Sequence, residues 1–316
     1  MSLFRILPRF AAPNFTLTAT TTGAQTVTIN RLTLSVPTTI HWGDGTSTAH
    51  AAGVTTAITH DYAGAGTWAI RVPYADRITQ LDLRDAKLGG LDTAQLTGVV
   101  TYFYITNITN STIRSADMVD WRPTTWYLYA LSPTGTYSIG SADMVDWRPA
   151  DWRLYSLSTG TYSISSADMV DWRPTTWILY SMPAGTYSIS SADLVDWRPA
   201  YWWLYSLPAA GSSYTFASAC MQYWLAATNI RCDNLGLSQA TVDAILWDIY
   251  QGFAARTGTG GTINVGGTNA APSGTYQAAT SCPVTVATPG KETAHELVND
   301  GCNVSSKHWS TVTITV

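Results

Sequence analysis

The chain has 316 residues, 46% of them hydrophobic and only 12% charged, so it can bury a large core, and its length predicts two or three structural units. Its net charge of -4 and pI near 5.6 leave no basic field to hold phosphate backbones, which argues against a nucleic-acid partner. No apolar run is long enough to span a bilayer, and Arg5 and Arg9 interrupt the short apolar N-terminus, so we expect neither membrane insertion nor a signal peptide.

After an N-terminal arm, residues 1–14, apolar and polar side chains alternate along residues 15–76 with the period of β-strands. The turn sequence Gly-Asp-Gly lies in this stretch, and Asp44 is interpreted as a turn former in preference to a calcium ligand. The segments Ile40–Thr46 (IHWGDGT) and His60–Trp68 (HDYAGAGTW) together resemble the PKD-type immunoglobulin-like domain. The resemblance implies a small antiparallel β-sandwich that acts as a spacer or display unit and contributes no catalytic residues.

From Arg77 the pattern changes. Leu81, Leu83 and Leu88 follow the spacing L-x-L-x-x-x-x-L, and a short helical return comes after them. This segment resembles the first coil of a leucine-rich repeat array.

One motif is then written four times between Ser115 and Leu207: SADMVDWRPTTWYLYAL, SADMVDWRPADWRLYSL, SADMVDWRPTTWILYSM and SADLVDWRPAYWWLYSL. The first tryptophans of the copies are spaced by 26, 25 and 25 residues; they are Trp121, Trp147, Trp172 and Trp197. Self-similarity at this period is typical of a solenoid.

Each copy is expected to contain a strand, a turn, a second short strand and a helical turn capped by a serine or aspartate such as Ser115 or Asp117. On the first strand, Trp126 and Leu128 point to one face, and positions 127 and 129 point to the other.

A single copy buries too little apolar surface to fold alone, so neighbouring copies must stack. Stacking predicts two internal aromatic ladders, one from the Trp121 series and one from the Trp126 series. It also predicts outer ladders of the Asp120 and Arg122 equivalents, whose lateral pairs contribute under ~1 kcal/mol each.

Residues 77–250 are therefore interpreted as a leucine-rich-repeat-like solenoid with short helical turns, and residues 251–316 as a C-terminal cap with an insertion. Residues 230–246 are similar to the terminal unit of bacterial and phage leucine-rich repeat proteins, with Ser238 capping a helix. The asparagine that this family carries in each repeat is absent, and Leu131 takes its place in the first copy. The predicted fold class is mainly β.

All four cysteines lie after the repeats: Cys220, Cys232, Cys282 and Cys302. Buried free thiols and one or two disulfides are both compatible with a chain of this length. A bridge between Cys282 and Cys302 would staple the insertion.

The sequence argues against an enzyme, and it predicts no cofactor and no metal site. The five histidines lie outside the repeats, and none forms a triad pattern with a serine, cysteine or carboxylate. His295-Glu296 begins an HExxH pattern, but Asn299 occupies the position of the second histidine. Asp117 and Asp120 resemble an acid/base pair, yet they recur in four equal copies, whereas catalysis needs one special site.

The copies differ mainly at positions 125 and 127, which are expected to point outward beside a tyrosine shared by all four copies. Tyrosine, tryptophan and arginine contribute most to contact surfaces, whereas neutral drift would more often leave Ser, Lys or Glu. The predicted binding residues are Tyr127, Tyr129, Arg153, Tyr155, Ile178, Tyr180, Tyr201, Trp203 and Tyr205.

These observations predict a non-enzymatic protein on a virion surface, most plausibly of a tailed phage, acting in capsid decoration or receptor binding. The alternative is a bacterial cell-surface adhesin or surface-layer protein. The expected partners are other virion or surface proteins, or a host-surface protein or glycan, and a homo-oligomer is compatible with the sequence.

Overall fold

The computed structural model describes residues 13–208, 210–216, 220–304 and 307–315. Within these ranges the fold is mainly β, as predicted, and its strands form four sheets. The predicted N-terminal arm lies outside the described residues except for Pro13 and Asn14. No helix of the described ranges is both long and apolar enough to cross a membrane.

Seven strands of the described residues precede Arg77: β1 (Asn14–Thr22), β2 (Gln25–Ile29), β3 (Arg31–Leu34), β4 (Thr38–His41), β5 (Ser47–His50), β6 (Ile58–Tyr62) and β7 (Ala65–Pro73). β5, β4, β7 and β1 lie side by side in an antiparallel sheet, and β2 pairs separately with β6. Alternate residues such as Phe15, Leu17 and Ile70 are buried, so the period-2 pattern correctly predicted these strands.

The turn after β4 depends on two glycines and one aspartate. Gly43 and Gly45 have φ angles of +85° and +93°, and a Cβ atom on Gly43 would lie 2.7 Å from the Ala69 carbonyl oxygen. Asp44 Oδ1 accepts hydrogen bonds from the Thr46 amide at 2.9 Å and the Thr46 hydroxyl at 2.6 Å. Burial by itself would raise the pKa of Asp44, but the bonds from Thr46 and His60 outweigh it and lower the pKa to about 2. Asp44 is thus a turn former.

The first strands of the four copies form the middle of a ten-stranded sheet, here called the main sheet. Its parallel strands are β8 (Ile78–Leu83), β10 (Tyr102–Thr106), β12 (Thr125–Tyr129), β14 (Asp151–Tyr155), β16 (Thr176–Tyr180), β18 (Tyr201–Tyr205), β20 (Asn229–Arg231), β21 (Thr262–Asn264) and β22 (Thr311–Thr313). β3 pairs antiparallel with β8 at one end, and β22 lies at the other end. Equivalent residues pair, as Trp126 does with Trp152 and Trp152 with Trp177, so the copies stack in register.

The second strand of each copy joins a parallel five-stranded sheet, here called the minor sheet. Its strands are β11 (Thr112–Arg114), β13 (Thr136–Gly140), β15 (Thr161–Ser165), β17 (Thr186–Ser190) and β19 (Ser213–Thr215). One 3-10 turn per copy leads back toward the main sheet, and these turns are Ser115–Met118, Ser141–Met144, Ser166–Met169 and Ser191–Leu194. The predicted order of strand, turn, strand and helical turn is confirmed.

A ladder of stacked tryptophans runs between the two sheets. The rings of Trp126, Trp152, Trp177 and Trp202 are buried and nearly parallel, with successive centroids 5.5, 5.5 and 5.8 Å apart. Such aromatic pairs contribute roughly 0.5–1.5 kcal/mol each beyond the burial of their area. This ladder is confirmed.

The other tryptophan series does not form the separate ladder that the sequence predicted. Trp147 meets Trp126 of the preceding copy edge-on at 5.7 Å, and Trp197 meets Trp177 in the same way at 5.8 Å. Trp172 meets Trp152 in the same way at 6.0 Å, and the indole of Trp147 also donates to the Met118 carbonyl of the preceding turn. The two series therefore interleave.

The buried serine of each 3-10 turn links neighbouring copies. Ser141 Oγ donates to Asp168 Oδ2 of the next copy at 2.5 Å and accepts the Ser165 amide at 2.7 Å. Ser115 and Ser166 make the same pair of bonds one copy earlier and one copy later. Neither serine nor aspartate of the motif caps its own turn, so that prediction was wrong: the side chains bridge neighbouring copies.

Exposed ion pairs connect the copies along one edge, as predicted. Arg122 pairs with Asp146 at 3.4 Å, and the equivalent pairs Arg148–Asp171 and Arg173–Asp196 have distances of 3.1 and 2.9 Å. Because these groups are solvated, each pair contributes under about 1 kcal/mol.

The C-terminal region closes the stack with two helices, α1 (Gln239–Gln251) and α2 (Gly290–Asn299). Ser238 caps α1 by accepting the Thr241 amide, as predicted. Cys282 and Cys302 form a disulfide, whereas Cys220 and Cys232 are free and buried. The chain therefore has one bridge and two buried thiols.

Asn269, which the sequence analysis missed, ties this region to the last turn. Its buried amide accepts the amides of Leu235 and Leu237 and donates to the carbonyls of Cys232 and Val265. One asparagine thus satisfies four backbone groups.

The N-terminal strands also close the stack at its other end. β3 pairs with β8, and β1 pairs with the short strand β9 (Leu88–Gly89). One hydrophobic cluster runs from Phe15 to Trp309. The boundary predicted at residues 76 and 77 is therefore crossed by both pairing and packing.

Candidate binding surface

The outward side of the main sheet carries all nine predicted binding residues; we call it the strand face. Trp126 and Leu128 of β12 point inward and are fully buried, so residues 125, 127 and 129 point outward. In-register pairing places the equivalent residues of β14, β16 and β18 beside them. The strand face therefore consists of three rows that run across the strands.

The 129 row is a stack of four tyrosines, Tyr129, Tyr155, Tyr180 and Tyr205. Successive ring centroids are 4.5, 4.5 and 4.4 Å apart, and the last two pairs are nearly parallel. Because each ring covers the face of its neighbour, the row presents ring edges and hydroxyl groups. Burial raises the pKa of Tyr155 and Tyr180, and it raises the pKa of Tyr205 to about 12 against the nearby charge of Arg231. Tyr155, Tyr180 and Tyr205 therefore keep their phenol protons at neutral pH.

The 127 row differs from the expectation of an exposed contact row. Tyr127 and Ile178 lie on the outward face, but each is only 6% exposed. Tyr127 is covered by Tyr104 at 4.0 Å and by Tyr155 at 5.4 Å, and Ile178 lies between Arg153 and Trp203 in the sheet register. Large neighbours on parallel strands shield these two side chains, so Arg153 and Trp203 carry the accessible part of the row.

Trp203 and Tyr201 form the most accessible aromatic corner of the strand face. The Trp203 indole donates to Asn229 Oδ1 at 2.8 Å, which holds its ring in place. Tyr201 is 45% exposed, the largest exposure among the nine predicted residues.

Three arginine–aspartate clamps brace the strand face, and the sequence analysis predicted none of these pairs, although it named Arg153 as a binding residue. Arg153 forms a bidentate pair with Asp151 at 2.6 and 2.7 Å. The other clamps stand at the two ends and are Arg84–Asp82 and Arg231–Asp233.

The end clamps also stack on the aromatic rows. The Arg84 guanidinium lies 4.0 Å from the ring centroid of Tyr104, and that of Arg231 lies 3.5 Å from that of Tyr205. The sequence did contain a signal for them, since Asp82-x-Arg84, Asp151-x-Arg153 and Arg231-x-Asp233 all place opposite charges on one face of a strand. Tyr102 and Tyr104 of β10 pair in register with Thr125 and Tyr127, so they extend the 125 and 127 rows by one strand.

The side chains of the strand face are suited to non-covalent contacts with a partner. Paired guanidinium and carboxylate groups, phenol hydroxyls and one exposed aromatic corner offer hydrogen bonds and ring contacts to a partner. Within the described ranges, no group of three or more His, Cys, Asp or Glu side chains is arranged to hold a metal ion.

No protein-family model, curated protein or solved structure matches the chain. The strand face is therefore interpreted from its own residues.

Proposed function

We propose that this is a non-enzymatic structural and binding protein whose strand face docks against a protein or glycan. The observation that carries the proposal is the convergence of Arg153, Tyr201 and Trp203 beside the stacked tyrosine row. Arginine, tyrosine and tryptophan are the residues on which binding energy concentrates. The clamps hold this surface in one conformation, which lowers the entropy lost on binding.

We also propose a fold family for each of the two parts of the chain. β1 to β7 are taken as a PKD-like, immunoglobulin-like sandwich, on the strength of the IHWGDGT and HDYAGAGTW segments. The stack is taken as a divergent leucine-rich-repeat-like solenoid in which tryptophans replace the core leucines and Ser–Asp bridges replace the asparagines. In-register parallel strands and one helical turn per copy support this assignment.

The proposed location is the surface of a virion, where the protein decorates the capsid or binds a receptor. Two segments support this location, because the one near the N-terminus resembles display modules and the one near the C-terminus resembles phage repeat proteins. The test is quantitative mass spectrometry of purified particles and of the host envelope fraction from one culture. Enrichment in the envelope fraction would favour the bacterial adhesin or surface-layer alternative.

The strand face is tested by the double variant Tyr201→Ala with Trp203→Ala. We expect it to lose adsorption of the particle to host cells by at least about tenfold, because two accessible aromatic contacts each contribute ~1 kcal/mol or more. Tyr223→Ala is the matched control, since Tyr223 is also an exposed aromatic but lies in a turn outside the strand face and stacks on Arg198. Unchanged adsorption by a folded double variant would contradict receptor binding through this face.

A further inference from the structure

The end of the main sheet at β22 is a second candidate for binding, separate from the strand face. β22 is the last strand of the sheet and pairs on one side with β21. The opposite end is different, because β3 is covered there: Gly53 donates its amide to the Leu34 carbonyl, and Thr33 Oγ1 donates to the Val54 carbonyl. β22 therefore offers an edge where the sheet can grow.

The backbone of Val312 points toward this open side. The Thr311 amide donates to the Gly261 carbonyl at 3.3 Å, and the Thr313 carbonyl accepts the Val265 amide at 3.0 Å. Hydrogen-bonding directions alternate along a strand, so the N–H and C=O of Val312 point away from β21. One donor and one acceptor are thus presented to an incoming strand.

A cleft of about 610 Å³ lies beside this edge. One wall is the strand itself, with Val312 and Ile314, which pack partly on the core. The other wall is the segment Gly274–Tyr276, and Tyr276 is 47% exposed. The cleft has room for apolar side chains on one face of an extended peptide.

Lys291, at the start of α2, also lines the cleft. Among the residues that the structure describes, no carboxylate lies within ion-pairing distance of its ammonium group, whereas Arg122, Arg148, Arg153 and Arg173 all have carboxylate partners. An unpaired cation beside an apolar cleft is complementary to an acidic group on the occupant.

We propose that β22 accepts an extended segment of a partner protein as an eleventh strand of the main sheet. The segment carries apolar β-branched residues at alternate positions and one Asp or Glu that pairs with Lys291. Its main chain bonds to Val312, and its side chains enter the cleft beside Tyr276. A second copy of this chain fits less well, because two β22 strands paired about a two-fold axis would bring two Lys291 groups together without a carboxylate.

The experiment is selection of a displayed heptapeptide library on the full-length, disulfide-bonded protein, followed by anisotropy titration of the enriched peptides. We expect alternating Val, Ile or Thr with one acidic residue. Val312→Pro should weaken binding at least about tenfold, because proline lacks the N–H that points to the partner and is tolerated on an edge strand. Lys291→Ala should weaken it about fivefold or less, the range of an exposed ion pair.

A charge exchange keeps the test independent of folding defects. Lys291→Glu should reject the acidic peptide and recover affinity for the same peptide with its acidic residue changed to lysine. Failure to enrich any peptide, peptides that bind Val312→Pro with unchanged affinity, or no recovery in the charge exchange would each overturn the proposal. So would a concentration-dependent dimer, measured by sedimentation, that competes with the peptide.

Discussion

One residue after each of six central strands of the main sheet adopts a left-handed backbone conformation. In the four copies these residues are Ala130, Ser156, Ser181 and Ser206, with φ between 47° and 53°. Asn107 directly follows β10, and Asn234 lies three residues after β20. Asparagine tolerates this region well, whereas an alanine Cβ is crowded there. Ala130 is therefore the least suited residue of the series.

Ala130→Gly should raise the free energy of unfolding by about 0.5–1 kcal/mol. Glycine removes the steric cost of positive φ, and its extra freedom in the unfolded chain offsets only part of the gain. Urea denaturation measures the change. Ala116→Gly is the matched control, because Ala116 lies in a 3-10 turn and should lose about 0.5–1 kcal/mol instead. Equal destabilisation of both variants would contradict the argument.

The tyrosine row also makes stability depend on alkaline pH. Burial raises the pKa of Tyr205 from 10.0 to about 12, so the folded state retains a proton that the unfolded chain has lost. This contribution is fully present below pH 10 and is lost as pH rises from 10 to about 12. The urea midpoint, measured in steps from pH 8 to 12, should fall in that window.

Tyr205→Phe should make that fall less steep, because it removes one of the titrating groups. The same slope in the variant would show that Tyr205 does not contribute. Phenolate absorbance, followed in parallel, checks that the transition coincides with tyrosine ionisation.

At the scale of the element, the 3-10 turns are held by bonds between copies. Ser166 Oγ donates to Asp193 Oδ2 at 2.5 Å and accepts the Ser190 amide at 2.8 Å. The turn lacks a side-chain cap of its own. Its stability therefore depends on the next copy.

Ser166→Ala should lower the free energy of unfolding by about 1–2 kcal/mol, because it leaves the Asp193 carboxylate and the Ser190 amide without their hydroxyl partner in a partly buried site. Ser163→Ala is the control: Ser163 lies on an exposed position of β15, and its replacement should change stability by less than about 0.5 kcal/mol. Thermal unfolding followed by circular dichroism compares the two. A loss below 1 kcal/mol for Ser166→Ala would contradict the bridging role.

At the scale of the whole molecule, the stack is a linear series whose copies contact mainly their neighbours. The interface between two neighbouring copies repeats the same Trp–Trp, Ser–Asp and Arg–Asp contacts. The N-terminal strands cover one end of the sheet. At the other end Asn269 and the disulfide-bonded insertion pack on the core, while the edge of β22 stays open.

Deletion of residues 166–190 should therefore leave a folded protein. It removes one whole copy, so Ser165 is followed directly by Ser191 and Trp152 meets Trp197 and Trp202 through the same contacts. The free energy of unfolding of a stack is approximately the sum of the contributions of its copies and of the interfaces between them. Because one copy and one interface are lost, we expect a cooperative transition at a lower urea midpoint.

Deletion of residues 166–178 is the control, because half a copy places β14 next to a segment out of register. This variant should not fold. If both deletions unfold the protein, or if neither does, the contacts between copies are not interchangeable.

Much of this architecture follows from the sequence by itself. Four near-identical copies of 25 or 26 residues determine stacking, because a copy cannot bury its tryptophans alone and identical neighbours place equal residues side by side. Alternation along TWYLY determines which side chains point inward. The Ser238 cap and the ion pairs between Arg122 and Asp146 equivalents follow from local pattern and spacing in the same way.

Only the tertiary structure decided the rest, because those features depend on distances between residues far apart in the chain. The register of the copies directs the motif serines to the next turn instead of their own. It also brings Trp147 and its equivalents against the preceding copy. The size of the neighbours covers Tyr127 and Ile178, which alternation alone places in solvent. Asn269 acts across loops whose course no local pattern encodes. The strand face, with Tyr201 and Trp203 on it, was therefore foreseen from the sequence, but the covering of its 127 row was not.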